Sequence, residues 1–156
     1  MKALVIVSSH RASTGIYEDR SGPIMVDGLR ALGLEVEDAQ VVDDGEPLGA
    51  ALRAGIAANY QLIVTAGGTG LTPTDRTPEL TTPLLTRPIP GIAEALRLYG
   101  INHDIKNASL SRGVAGLVGT TLVINVAGSP GAARDALAVF ATFLPHALAQ
   151  ISGGDH

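Results

Sequence analysis

The 156-residue chain contains no cysteine and no tryptophan, and its aromatic content is only 3%. Without cysteine there is no disulfide, no thiolate chemistry and no cysteine-held zinc. Lysine is nearly absent as well. Lys2 and Lys106 are the only two and neither follows a glycine, so the P-loop pattern G-x-x-x-x-G-K-[ST] cannot be made. The formal net charge of −4 offers no broad basic surface for nucleic acid or a membrane. Long apolar runs are missing too. The N-terminal "ALVIV" has about five residues, short of a signal-peptide core or a membrane span. These absences predict a soluble, cytoplasmic protein without a nucleic-acid or membrane partner.

What is present is small and aliphatic. Hydrophobic residues make up 46% of the chain, and with so few aromatics the core has to be built from Ala, Val, Leu and Ile. That composition suits parallel strands buried on both faces. Apolar runs at 3–9 and 61–66 read as strands, as does 34–42, which ends at Asp43, Asp44 and Gly45. Residues 11–23 read as a loop. Met25, Leu29 and Leu32 are spaced for a helix stopped by Gly33, and Leu48, Leu52 and Ile56 for a second. Thr77-Pro78-Glu79 has the composition of a helix start with Thr77 as cap, and 91–100 reads as another helix. Residues 109–131 read as a short strand, a tight turn near Gly119-Thr120 and a longer strand. A closing helix follows over 130–150. Strands alternating with helices predict a three-layer α/β/α domain over residues 1–150. Its sheet is mostly parallel with a short antiparallel edge element, and a frayed tail follows at 151–156.

In such sheets ligands bind beyond the carboxyl ends of the strands. Here those ends read "SSHRASTG", "VVDDGE", "TAGGTGLTPTDRTP" and "NVAGSPG", all rich in Gly, Ser, Thr or Asp. Glycine loops that lead to helix starts make anion sites from backbone N–H groups. "GGTGLT" lacks the third glycine of the dinucleotide pattern G-x-G-x-x-G. "AGSPG" nearly matches the serine-hydrolase elbow. However, Pro130 follows Ser129 and has no N–H for an oxyanion hole, so Ser129 reads as a helix cap, either alone or with a ligand contact besides. His10, His103, His146 and His156 are scattered without metal-ligand spacing. Asp43, Asp44 and Asp75 lie on strand-end loops. Carboxylates there suit a Mg²⁺ that shares its shell with water and phosphate oxygens.

Taken together, these segments resemble the Mog/MoaB family of molybdenum-cofactor biosynthesis proteins. "TAGGTG" followed by "TPTDRTPE" is similar to that family's glycine-loop signature. "SHRASTGIYEDRSGP" is similar to its loop S-D-R-x-S-x-G-x-Y-x-D-x-S-G. "VVDDGEP", "RPIPGIAEALR" and "ASLSRGVAGLVGTTLVINVAGSPGAARDAL" resemble its remaining segments in the same order. Two departures stand out: His10 replaces an aspartate of the family pattern, and Val126-Ala127 replaces Leu-Pro.

The resemblance implies a molybdopterin- and nucleotide-binding domain. It further implies a molybdopterin adenylyltransferase, which transfers AMP from Mg-ATP to the molybdopterin phosphate. The alternative is a non-catalytic molybdopterin-binding or scaffold member. On the family pattern Asp44 and Asp75 are the functional acids, with Asp75 a candidate Mg²⁺ ligand. Gly67, Gly68, Thr69 and Gly70 would present N–H groups to phosphate. Arg11, Ser13, Ser109, Ser111 and Arg112 are candidate pterin or phosphate contacts, with Gly128 and Ser129 beside them. The implied partners are molybdopterin, ATP and the pathway's metal-insertion protein, and the implied assembly is a homotrimer or a hexamer of two trimers.

Overall fold

Consecutive residues of the first apolar run enter different cores. Ala3 and Val5 pack among Met25, Leu29 and Phe140, whereas Leu4 and Ile6 pack with Leu48 and Leu52. Both faces of the run are dry, which is why it shows no polar alternation. A computed structural model describes residues 1–154. Its elements are β1 (Lys2–Ser8), α1 (His10–Ser13), α2 (Ser21–Ala31), β2 (Glu35–Val36), β3 (Gln40–Val42), α3 (Glu46–Ala57), β4 (Leu62–Ala66), α4 (Thr77–Thr81), β5 (Arg87–Pro88), α5 (Pro90–Asn102), β6 (Ala115–Val118), β7 (Thr121–Val126) and α6 (Pro130–Ile151). Short 3-10 turns occupy Thr82–Leu84 and Lys106–Leu110.

The seven strands form one sheet in the order β2-β1-β4-β7-β6-β5, with β3 also paired to β1. β1 runs parallel to β2, β3 and β4, and β4 runs parallel to β7. β6 runs against both β5 and β7 and makes the antiparallel edge. α2, α5 and α6 cover one face, where Met25, Ile92 and Phe140 join the larger core. α3 and α4 cover the other, through Leu48, Leu52 and Leu80. The result is the α/β/α sandwich expected from the alternation of elements. No helix among the described residues is long and apolar enough to cross a membrane.

Register levels the strand ends. Val7 pairs with Ala66, and Ala66 pairs with Val126. Ser8, Gly67 and Ala127 therefore leave the sheet side by side, and the loops that follow meet in one place.

Local structure departs from the sequence reading at several points. The single strand expected at 34–42 is two short ones, because the polar stretch Glu37-Asp38 interrupts pairing to β1. The loop expected at 11–23 begins with one helical turn, capped by Ser9, whose hydroxyl accepts from the Ala12 N–H at 3.2 Å. Thr77 is the first helical residue rather than a cap, and its hydroxyl points to the glycine loop instead. Arg87-Pro88, which the sequence reading left without an element, adds a two-residue edge strand. The closing helix runs through Ile151, which packs against the core. The amides of Ser152, Gly153 and Gly154 then bond back to its last carbonyls at 2.9–3.1 Å. Asp155 and His156, the end of the expected tail, lie outside the described residues.

Candidate functional site

The level strand ends open into a cleft of about 1150 Å³. Its lining includes Arg11, Asp44, Gly67, Gly68, Thr69, Gly70, Asp75, Ser111, Gly128 and Ser129. Most of the residues singled out from the sequence thus come together. Ser13, Ser109 and Arg112 are not part of the lining. The hydroxyls of Ser13 and Ser109 turn back to nearby carbonyls, of His10 at 3.0 Å and Lys106 at 3.1 Å.

The first wall is built around Asp44. Its Oδ1 accepts from the Ser8 hydroxyl at 2.7 Å and its Oδ2 from the His10 N–H at 3.4 Å. The carboxylate thereby ties the end of β1 to the loop after β3. His10 does not bond Asp44 through its ring. Its Nδ1 lies 3.0 Å from Oδ1 of Asp43, which also accepts from the Asp44 N–H at 2.8 Å. Arg11 stacks its guanidinium over the Tyr17 ring, 5.7 Å from the centroid.

The glycine loop forms the floor. Gly67 and Gly68 have φ of +105° and +65°, which L side chains rarely adopt. A Cβ on Gly67 would stand 2.3 Å from the Ser8 carbonyl oxygen, and one on Gly128 would stand 3.0 Å from Gly67 Cα. These two glycines permit close approach between neighbouring strand ends. Thr77 then fastens the loop from α4. Its hydroxyl donates to the Gly67 carbonyl at 2.8 Å and its N–H to the Gly68 carbonyl at 3.0 Å. The N–H of Gly67 is spent on Val126 at 2.9 Å, extending the β4–β7 ladder, so it cannot be offered to a ligand as expected. The N–H groups of Gly68, Thr69 and Gly70 donate to no described residue. Three successive unshared N–H groups at a strand end form a concavity suited to an anion.

Asp75 closes the loop on itself. Its Oδ2 accepts from the Thr72 N–H at 3.1 Å and the Thr72 hydroxyl at 2.7 Å, while its own N–H donates to the Thr72 carbonyl at 3.0 Å. Its Oδ1 accepts from no described residue and remains available at the cleft. One half-buried carboxylate with a free oxygen beside unshared N–H groups has the donor chemistry for Mg²⁺, which takes few protein ligands. Among the described residues no group of three or more His, Asp or Glu is placed to hold a metal by itself.

Arg112, expected to contact a ligand, grips the loop. Its Nε donates to the Gly70 carbonyl and its Nη2 to the Asp75 carbonyl, each at 2.8 Å, and it pairs with the Glu79 carboxylate. The Arg112 hydrogen bond holds the Glu79 carboxyl below its ordinary pKa. At the other end of the site, Ser129 caps α6 as expected, accepting from the Ala132 N–H at 3.1 Å.

Sequence reasoning passed over Asn125. It is 2% exposed, and its amide donates to the hydroxyls of Thr65 at 2.9 Å and Thr81 at 3.1 Å. Its Oδ1 accepts from the Val114 N–H at 3.1 Å. The hydroxyl of Thr81 donates in turn to the Thr77 carbonyl. This buried network joins the antiparallel edge to the helix that fastens the glycine loop. A lone amide inside the apolar strand "TLVINV" was the available signal.

Comparison with known proteins finds the same fold and sequence pattern elsewhere. Residues 4–146 match the family described as a probable molybdopterin binding domain. The chain is 40% identical to a molybdenum cofactor biosynthesis bifunctional protein of Synechococcus elongatus over 99% of its own length and 48% of that protein's. It therefore spans about half of that relative. It is 33% identical to a molybdopterin adenylyltransferase of Helicobacter pylori, over 96% of this chain and 86% of that one. The solved molybdopterin biosynthesis Mog protein of Mycobacterium ulcerans superposes with a TM-score of 0.91 at 46% identity, covering 96% of this chain and 98% of that chain.

Proposed function

The chain belongs to the Mog/MoaB family of molybdenum-cofactor biosynthesis proteins, and from that premise we propose that it is a molybdopterin adenylyltransferase. In this reading a terminal phosphate oxygen of molybdopterin attacks the α-phosphorus of ATP. The bond from that phosphorus to the bridging oxygen of the β-phosphate breaks. Adenylyl-molybdopterin forms and pyrophosphate leaves.

The observation that carries the reading is the run of unshared N–H groups at Gly68, Thr69 and Gly70. They offer fixed positive dipoles to phosphate without a lysine, which this chain does not have there. The acceptor phosphate is already an anion, so the reaction needs no general base. That accords with the cleft's histidines, His10 and His103, whose Nδ1 atoms bond Asp43 and the Tyr99 carbonyl rather than a serine. Nucleotidyl transfer is then mostly a matter of positioning and neutralising charge. Asp75, with its free Oδ1, is the residue to hold Mg²⁺. When bound, Mg²⁺ would offset charge building up on the phosphates. Asp44 orders the loops on the other side, placing the segment of Ser8 to Arg11 against the cleft. Arg11, Ser111, Gly128 and Ser129 supply the remaining contacts from the lining. The name of the Helicobacter relative supports the same activity.

Purified protein given molybdopterin and Mg-ATP is expected to accumulate adenylyl-molybdopterin and pyrophosphate in equal amounts. Tight molybdopterin binding with no product, beside an active adenylyltransferase, would make the chain a binding member of the family instead.

A further inference from the structure

A loop that receives an anion has to keep its carbonyl dipoles away from it. In this chain Thr77 takes the carbonyls of Gly67 and Gly68, and Arg112 collects three more. The backbone N–H of Arg112 donates to the Thr69 carbonyl, Nε to that of Gly70 and Nη2 to that of Asp75, all at 2.8 Å. Gly70 and Asp75 bracket residues 71–74, so one planar guanidinium holds both ends of that segment. The amides of Thr69 and Gly70 stay unshared while their carbonyls are all engaged. The outer edge of the guanidinium is paired with Glu79 on α4. The Arg112 segment is itself held: Arg97 on α5 donates from Nη1 to the carbonyls of Ser111 and Gly113, each at 3.2 Å. Two arginines in series thus connect α5 to the glycine loop.

We propose that Arg112 is a positioning residue, which holds the glycine loop and Asp75 in ligand-ready form from behind and touches no ligand itself. The proposal deepens the adenylyl-transfer reading and rests on it for its kinetic consequence, but its structural consequence is independent of any substrate. Arginine is required because its rigid fork spans two carbonyls at once. Lysine keeps the charge but is a single flexible point donor. Charge alone is therefore not expected to rescue the site.

The test uses the full chain with Arg112→Lys and Arg112→Ala. The first readout is hydrogen exchange of the Thr72 and Asp75 amides without ligand, both bonded inside the loop. Both variants are expected to exchange there at least about tenfold faster, with β4 and β7 amides unchanged. The second is the kinetics of adenylyl transfer, where kcat is expected to fall about 10²-fold in both variants with a smaller change in KM for ATP. Unchanged loop exchange, together with a raised KM in Arg112→Ala that Arg112→Lys restores, would overturn the proposal and make Arg112 a phosphate contact. Faster loop exchange with no product even from the unaltered protein would sustain the positioning role and remove the adenylyl-transfer reading. If Arg112→Ala does not fold, Arg112→Lys carries both readouts.

Discussion

The Ser8 hydroxyl donates to Oδ1 of Asp44 across 2.7 Å, linking the end of β1 to the loop after β3, 36 positions on in the chain. On the proposed reading Asp44 therefore acts through loop order as well as charge. Asp44→Asn is expected to lower adenylyl transfer about 10²-fold. Ser8→Ala removes one hydrogen bond, and should cost about 1 kcal/mol of stability and a smaller share of activity. Urea unfolding and product formation on the two variants would check this; equal activity losses would make the bond itself, rather than the carboxylate, the important feature.

Gly67 is expected to be the least replaceable glycine of the loop. Gly67→Ala combines φ of +105° with a Cβ only 2.3 Å from a backbone oxygen that cannot step aside. The expected loss is about 3 kcal/mol or more. Gly119 in the β6–β7 turn also has positive φ, +58°, but open space around it. Gly119→Ala should cost only about 1 kcal/mol. Thermal unfolding of the pair separates crowding from backbone strain.

Asn125→Ala should destabilise by about 2–3 kcal/mol, because it takes the acceptor from the part-buried Val114 N–H and leaves two buried threonine hydroxyls without their donor. Loop exchange at Thr72 is expected to rise as well, since Thr81 and Thr77 lose support. A drop in melting temperature without loop loosening would confine Asn125 to the core.

The Glu79–Arg112 pair gives a pH dependence of defined sign. Hydrogen bonding to Arg112 lowers the Glu79 pKa from 4.5, so the folded protein binds that proton less readily than the unfolded chain. The stabilisation is complete above pH 4.5 and fades as pH falls through the lowered value. The pair is partly solvent-exposed, so the effect is modest. Melting temperatures of the protein and of Glu79→Gln should differ at neutral pH and converge in acid. A constant gap at all pH values would show that Glu79 contributes by packing alone.

Much of this architecture could be read from composition and order. Dry apolar runs gave the parallel strands, and Gly, Thr and Asp gathered at their ends gave the place of the cleft. What could not be read was direction. Nothing in "GGTG" says that the Gly67 N–H is taken by Val126 while the next three are free, because that follows from the register of β4 on β7. "SRG" does not say that Arg112 faces the back of the loop, since an arginine near a phosphate loop suits either side. The break in residues 34–42 and the two-residue strand β5 depend on tertiary pairing, too short to leave a pattern.

The central claim is that the glycine loop and Asp75 together carry adenylyl transfer. Its most direct measurement is single-turnover formation of adenylyl-molybdopterin from saturating Mg-ATP, with the unaltered protein and Asp75→Asn side by side. The variant keeps the size of the side chain and removes its charge. The account predicts product from the unaltered protein and a rate lower by about 10²–10³ in the variant, with molybdopterin binding retained. A variant as fast as the unaltered protein, or an unaltered protein that binds both substrates and forms no product, would contradict it.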